Sequence, residues 1–243
     1  MKTSILGVSF DNISPADACA AAISFLQAET PRIIFTPNPE MVMHARKDAE
    51  FRRVLNSADL VIPDGIGIVY ASRLTSSRIS RRVPGIELVA DIFAHIKDTG
   101  NSVYLLGAAP GVADAAAVRL AEQFPGLNIV GTRHGYFADA DDDAIITAIN
   151  AANPDILLVG LGFPRQEKWI YHHKNHLDTK LLIGVGGSLD GLSGRIRRAP
   201  EIFQKLGLEW FYRLIRQPKR IWRQRVLAKF VLIVLYKKLR GEL

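Results

Sequence analysis

The chain has 243 residues, 48% of them hydrophobic, enough to bury the core of one large domain or of one domain plus an appendage. Its single cysteine, Cys19, excludes a disulfide framework. The net charge of +7 is unevenly spread: residues 213–240 hold ten Lys/Arg and no Asp or Glu, leaving 21 basic against 24 acidic residues elsewhere. The basicity therefore belongs to the tail and points to a polyanion such as a membrane surface, nucleic acid or phosphate groups.

The N-terminus carries one lysine and reaches Asp11 and Asn12 without a long apolar run, so no signal peptide and a cytosolic protein are expected. Short apolar runs then alternate with helical patterns. Strands are expected at 5–10, 32–36, 58–63, 102–107, 127–132, 155–161 and 180–186. Helices are expected near 15–28, 40–56, 66–74, 86–98, 111–123, 140–152 and 165–176. Near-continuous apolar strands between helices imply an α/β fold, a Rossmann-like, mostly parallel sheet covered by helices on both faces. After about residue 197 the strands stop, dividing the chain into an α/β domain over 1–197 and a basic helical appendage over 198–243. Pro200 and Pro218 punctuate that appendage. Its apolar run FVLIVLY covers seven residues, against the roughly 20 needed to span a bilayer. Flanking Lys and Arg, with Trp210, Phe211, Tyr212, Trp222 and Tyr236, suit a helix lying among lipid headgroups.

Polar residues gather where strands end. Arg32–Phe35 breaks into Thr36-Pro37-Asn38-Pro39-Glu40, and the prolines stop the strand and open a helix. Thr36 and Asn38 are thus held at a strand-to-helix junction, where open α/β sheets place ligands; helix capping is the structural alternative. Asp64, between Pro63 and Gly65, is a second strand-end residue, suited to act as a general base on a hydroxyl or to cap the next helix. Adjacent Arg81 and Arg82 stand at the entrance to a helix, where a guanidinium can clamp a phosphate; a solvated surface arginine is the structural alternative. The turn Gly107–Gly111 precedes a helix start suited to a diphosphate, but matches neither the Walker nor the dinucleotide fingerprint. Gly184–Gly191, with Gly186, is another glycine-rich strand end. Gln166 and Glu167 open a helix and offer hydrogen bonds to a sugar or base, or, for Glu167, a dipole-favoured first turn. Asp139, Asp141, Asp142 and Asp143 resemble metal-holding clusters but read better as the start of a surface helix. The six histidines show no zinc-type pattern.

These motifs together resemble the WecG/TagA/CpsF glycosyltransferases, glycosyltransferase family 26, along almost the whole chain. The carrying stretches are TPNPEMVMHARKD (36–48), ADLVIPDGIGIVYASR (58–73), RVPGIELV (82–89), LLGAAPGVA (105–113), GFPRQEKW (162–169) and GVGGSLDGLSG (184–194). RAPE and LEWFYRLIRQPKRIWR extend the match into the tail. The resemblance implies an inverting transfer of a sugar, N-acetylmannosamine in the best-known branch, from a UDP-sugar to a polyprenyl-diphosphate-linked sugar at the cytoplasmic membrane face. It implies no metal or other cofactor. Asp64 is then the base, Thr36 and Asn38 active-site contacts, and Arg82 and Gln166 pocket residues. The Gly107–Gly111 turn would face the nucleotide. Arg213, Arg220 and Arg223 would neutralise diphosphate charge, and the appendage would bind anionic lipid and close over the site.

Two other classes fit parts of the pattern. A non-catalytic nucleotide- or nucleic-acid-binding protein explains the basic tail, but the core has no recognised nucleic-acid module. An NAD(P)-dependent oxidoreductase shares the architecture but needs an N-terminal glycine fingerprint that is missing. Oligomeric state is left open by the sequence.

Overall fold

The computed structural model describes residues 2–196, 199–200, 202–203, 208–216 and 221–241. Its centre is a six-stranded parallel sheet of β3 (Arg32–Phe35), β4 (Leu60–Val61), β5 (Ser102–Gly107), β6 (Asn128–Arg133), β7 (Ile156–Gly160) and β8 (Leu181–Gly184). The order across the sheet is β4-β3-β8-β7-β5-β6. All residues of β5, β7 and β8 are buried, which is why their sequences are continuous apolar runs.

Alternation along each strand sends neighbouring side chains to opposite layers. Ile33, Phe35, Leu106, Leu157, Val159 and Leu182 join one layer with α2 (Pro39–Ala45), α3 (Ala49–Asn56), α4 (Ile66–Ser72), α7 (Asp142–Ala152) and α8 (Arg165–His173). Ile34, Val103, Leu105, Leu158, Leu181 and Ile183 join the other, with α1 (Pro15–Phe25), α5 (Gly85–Ile96), α6 (Val112–Gln123) and α9 (Ser188–Leu192). Cys19 is buried in this second layer.

The structure corrects several boundaries. The run 5–10 is not one strand but the hairpin of β1 (Lys2–Ile5) and β2 (Val8–Asp11). Leu6 (φ 50°) and Gly7 (φ 89°) form its two-residue turn, both at the positive φ that suits a tight hairpin. The helix expected at 40–56 is two helices, because Asp48 accepts from Phe51 N at 2.9 Å and caps a new start. The strand expected at 58–63 shortens to Leu60–Val61. Short 3₁₀ turns at Asp139–Asp141 and Lys174–His176 replace the start of one expected helix and the end of another.

After α9 the described residues form α10 (Glu209–Arg216) and α11 (Ile221–Leu239). Helix α11 runs against α2 and α4 and buries Phe230 and Val234 in the first layer. Its other side leaves Val231, Leu232, Leu235, Tyr236 and Leu239 exposed beside exposed Lys229, Lys238 and Arg240. Among the described residues, no helix is long and apolar enough to cross a membrane.

Candidate functional site

Every strand of a parallel sheet ends on the same edge, so the polar segments following β3, β4, β5, β7 and β8 converge there. Backbone bonds fix how they meet. Ile62 N donates to Phe35 O at 2.9 Å and Asp64 N to Pro37 O at 3.2 Å, so the exits of β3 and β4 run side by side. Val83 N donates to Pro63 O at 2.9 Å and draws Arg82 to the same corner. Thr36 Oγ1 donates to Gly184 O at 3.4 Å, joining β3's exit to that of β8. A Cβ on Gly85 would lie 3.2 Å from Thr36 Oγ1, so the start of α5 packs directly on the threonine. Thr36, Asn38, Asp64 and Arg82 are thus brought into one connected cluster.

The capping alternatives now separate. Asn38 does cap α2, its Oδ1 accepting from Glu40 N (2.9 Å) and Met41 N (3.2 Å). Its amide nitrogen is not part of that cap. Asp64 is not the cap of α4: the N-cap residue is Gly65, with no side-chain cap bond. The Asp64 carboxylate is half-buried at the strand end, one residue before that cap.

Arg82 forms an ion pair with Glu209 of α10, Nη1 to Oε2 3.6 Å, both side chains being mostly buried. The helical tail thus reaches the cluster through a residue the sequence reading passed over. Arg220, and the side chains of Arg213 and Arg223, lie outside the described residues.

The glycine turns differ from one another. Gly107 and Gly160 are register partners in β5 and β7, and a Cβ on Gly107 would stand 2.4 Å from Gly160 O. Ala108 follows with φ 59°, a left-handed conformation that alanine adopts only at a cost. Gly111 (φ 75°) is the N-cap of α6, which has no side-chain cap, and the Arg195 guanidinium lies beside it. Gly186 (φ 51°) faces open space.

Gln166 and Glu167, the two polar residues expected to hydrogen-bond a sugar or base from the first turn of α8, are 3% and 0% exposed. Gln166 Oε1 accepts from Gly186 N at 2.9 Å, and Gln166 Nε2 donates to Glu167 Oε1 at 2.5 Å. Glu167 Oε2 is buried without a hydrogen-bond partner. Burial pushes the Glu167 carboxyl up to about 7, the bond from Gln166 opposing it only in part. The sequence does not signal this burial, because a glutamate at a helix start is ordinarily solvated and only packing from elsewhere encloses it.

This carboxyl makes stability depend on pH. A folded pKa above the unfolded value means the native state binds more protons between about pH 4.5 and 7. Stability should fall as pH rises through that window, by at most about 3–4 kcal/mol at 1.36 kcal/mol per unit. Melting curves of wild type and Glu167→Gln, compared from pH 4.5 to 7.5, isolate the effect. The variant should lack this part of the slope.

Two of the four clustered aspartates, Asp141 and Asp142, hold structural bonds. Asp142 accepts from Trp169 Nε1 at 2.8 Å and pairs with His173 Nε2 at 3.1 Å, while Asp141 Oδ2 accepts from Ala138 N. Arg165 donates to Gly135 O and Phe137 O (3.0 and 2.6 Å), holding the loop after β6 against the start of α8.

Comparison with known proteins adds an independent line. The profile of the Glycosyl transferase WecG/TagA/CpsF family matches residues 3–243. Proteins of Staphylococcus aureus strains MRSA252 and MW2 are each 36% identical over 238 residues, covering 97% of this chain and 91% of the relative. Both bear the name N-acetylglucosaminyldiphosphoundecaprenol N-acetyl-beta-D-mannosaminyltransferase.

Proposed function

The chain belongs to the WecG/TagA/CpsF glycosyltransferase family, and from that premise we propose that it moves an N-acetylmannosamine-type sugar from UDP to a polyprenyl-diphosphate-linked N-acetylglucosamine. The activity in the relatives' names supports the acceptor class and the sugar. The observation that carries the reading for this chain is the convergence of Asp64, Thr36, Asn38 and Arg82 at one corner of the strand ends.

In this mechanism an Asp64 oxygen takes the proton of the acceptor hydroxyl. The hydroxyl oxygen attacks the anomeric carbon from the face opposite the nucleotide, and the bond from that carbon to the UDP oxygen breaks. One displacement inverts the anomeric centre. Negative charge grows on the departing diphosphate, and cations placed at the leaving oxygens stabilise it most in the transition state. Arg82 supplies one such charge, with the tail arginines 213, 220 and 223 as further contributors. Thr36 and Asn38 orient the donor sugar, and the turns at Gly107–Gly111 and Gly186 lie along the nucleotide. No metal is required in this scheme.

The test is UDP release from a panel of UDP-sugars in EDTA, with and without a short-chain GlcNAc-diphospholipid. Acceptor-dependent release with one donor supports the reading and names the sugar among N-acetylmannosamine, its uronic acid, glucose and glucuronic acid. No release with any donor and acceptor counts against it.

The same proposal places the protein peripherally on the cytoplasmic membrane face, bound through α11. Its exposed apolar residues and exposed cations form an amphiphilic surface suited to anionic headgroups. Each cation near such a surface contributes about 1 kcal/mol. Changing Lys229, Lys238 and Arg240 to Glu should therefore lower affinity for phosphatidylglycerol vesicles by more than about 100-fold. Co-sedimentation measures this, and wild-type binding should weaken as salt rises.

A further inference from the structure

A buried acidic residue that reaches neither solvent nor substrate still lies one hydrogen bond from the site. We propose that Glu167 is a positioning residue for the donor site: it holds the Gln166 carboxamide in the one orientation that fastens the Gly186 turn. This rests on the glycosyltransferase reading of the strand ends.

The geometry leaves little choice of roles. The Gly186 N–H can only donate, so the Gln166 atom facing it at 2.9 Å must be the carboxamide oxygen. The carboxamide nitrogen is then turned toward Glu167 and needs an acceptor there. Glu167 Oε1 supplies one whether the carboxyl is charged or neutral. A flipped carboxamide would set its NH₂ against the Gly186 N–H and lose that bond in either protonation state, and against a charged Glu167 its oxygen would lose the second bond as well. The linkage reaches further, because a Cβ on Gly184 would meet Gln166 Nε2 at 3.0 Å, and Gly184 O receives the Thr36 hydroxyl. Glu167, Gln166 and the β8 exit are one packed unit behind Thr36. At 0% exposure Glu167 cannot touch the donor, so it acts through Gln166 and Gly186.

The experiment compares Glu167→Gln, Glu167→Leu and the double variant Gln166→Leu/Glu167→Leu in the intact protein. Steady-state kinetics are run with the donor and acceptor that the UDP-release assay identifies, and hydrogen exchange is read at the Gly186 amide. Glu167→Gln keeps an acceptor oxygen facing Gln166, so donor KM should stay within about three-fold of wild type. Glu167→Leu should raise donor KM about ten-fold or more, with a smaller change in kcat, and speed exchange at Gly186. Should Glu167→Leu fail to fold through its orphaned carboxamide, the double variant removes both polar partners and restores packing. It should fold yet keep the raised KM and the fast Gly186 exchange. Wild-type donor KM and Gly186 protection in a folded Glu167→Leu would overturn the inference. If that variant does not fold, wild-type values in the double variant would do so. An inactive wild type would instead indict the assigned reaction, and Gly186 exchange would still report on the linkage itself.

Discussion

Replacing Asp64 by Asn should cut acceptor-dependent UDP release by roughly 10²–10⁴-fold, the range a positioned general base contributes. Asparagine has the shape of the aspartate and keeps one acceptor oxygen, so the packing of the β4 exit is retained while the proton acceptor is lost. The melting temperature and the affinity for UDP should therefore stay near wild type. Alanine is a poorer probe, since it also empties space between Pro63 and the Gly65 turn. The result is read at saturating donor and acceptor, so that kcat is compared. Retention of more than a tenth of wild-type turnover would move the base to another residue. A fall in UDP affinity equal to the fall in turnover would make Asp64 a donor-binding group instead.

The reason these residues were legible in the sequence is that the strand ends are marked by punctuation. Pro37 and Pro39 after Phe35, Pro63 and Gly65 around Asp64, and the glycines after β5 and β8 interrupt apolar runs abruptly. In a parallel sheet all such interruptions after strands fall on one edge. Family resemblance sharpened the choice among them, and the profile match over 3–243 agrees with it. What stayed hidden depends on contacts distant in sequence. Nothing in the first turn of α8 says that Glu167 is buried, because other elements enclose it. Glu209 sits in an aromatic stretch that reads as membrane-facing, yet it pairs with Arg82. The sequence predicts one strand over 5–10 because Leu6 is apolar, although Leu6 adopts the positive φ expected of glycine or asparagine in the hairpin turn. The break at Asp48 was invisible to periodicity because both helices, α2 and α3, face the same layer.

The glycine turns, equivalent in the sequence, should give opposite results when each is changed to alanine. At Gly107 the added methyl would stand 2.4 Å from Gly160 O, 2.5 Å from its carbonyl carbon and 2.7 Å from its Cα. All three are backbone atoms of the neighbouring strand, so no side chain can swing away. The φ of +138° adds strain that alanine cannot relieve. Relief requires prising β5 from β7 where Ala108 N donates to Gly160 O. Gly107→Ala should destabilise by about 3 kcal/mol or more, or leave no folded protein. At Gly186 the methyl meets nothing within 4 Å, and φ +51° lies in the left-handed region that alanine reaches at about 1 kcal/mol. Gly186→Ala should therefore fold, with a melting temperature only a few degrees lower. If the donor lies against this turn, the methyl occupies its space, and UDP affinity falls far more than stability does. Calorimetric titration of UDP into Gly186→Ala beside a thermal melt separates the two quantities. Unchanged UDP affinity would take Gly186 out of the nucleotide site and leave it as a turn residue. Gly107 would remain, on either outcome, the glycine that lets two central strands approach closely enough to form that edge.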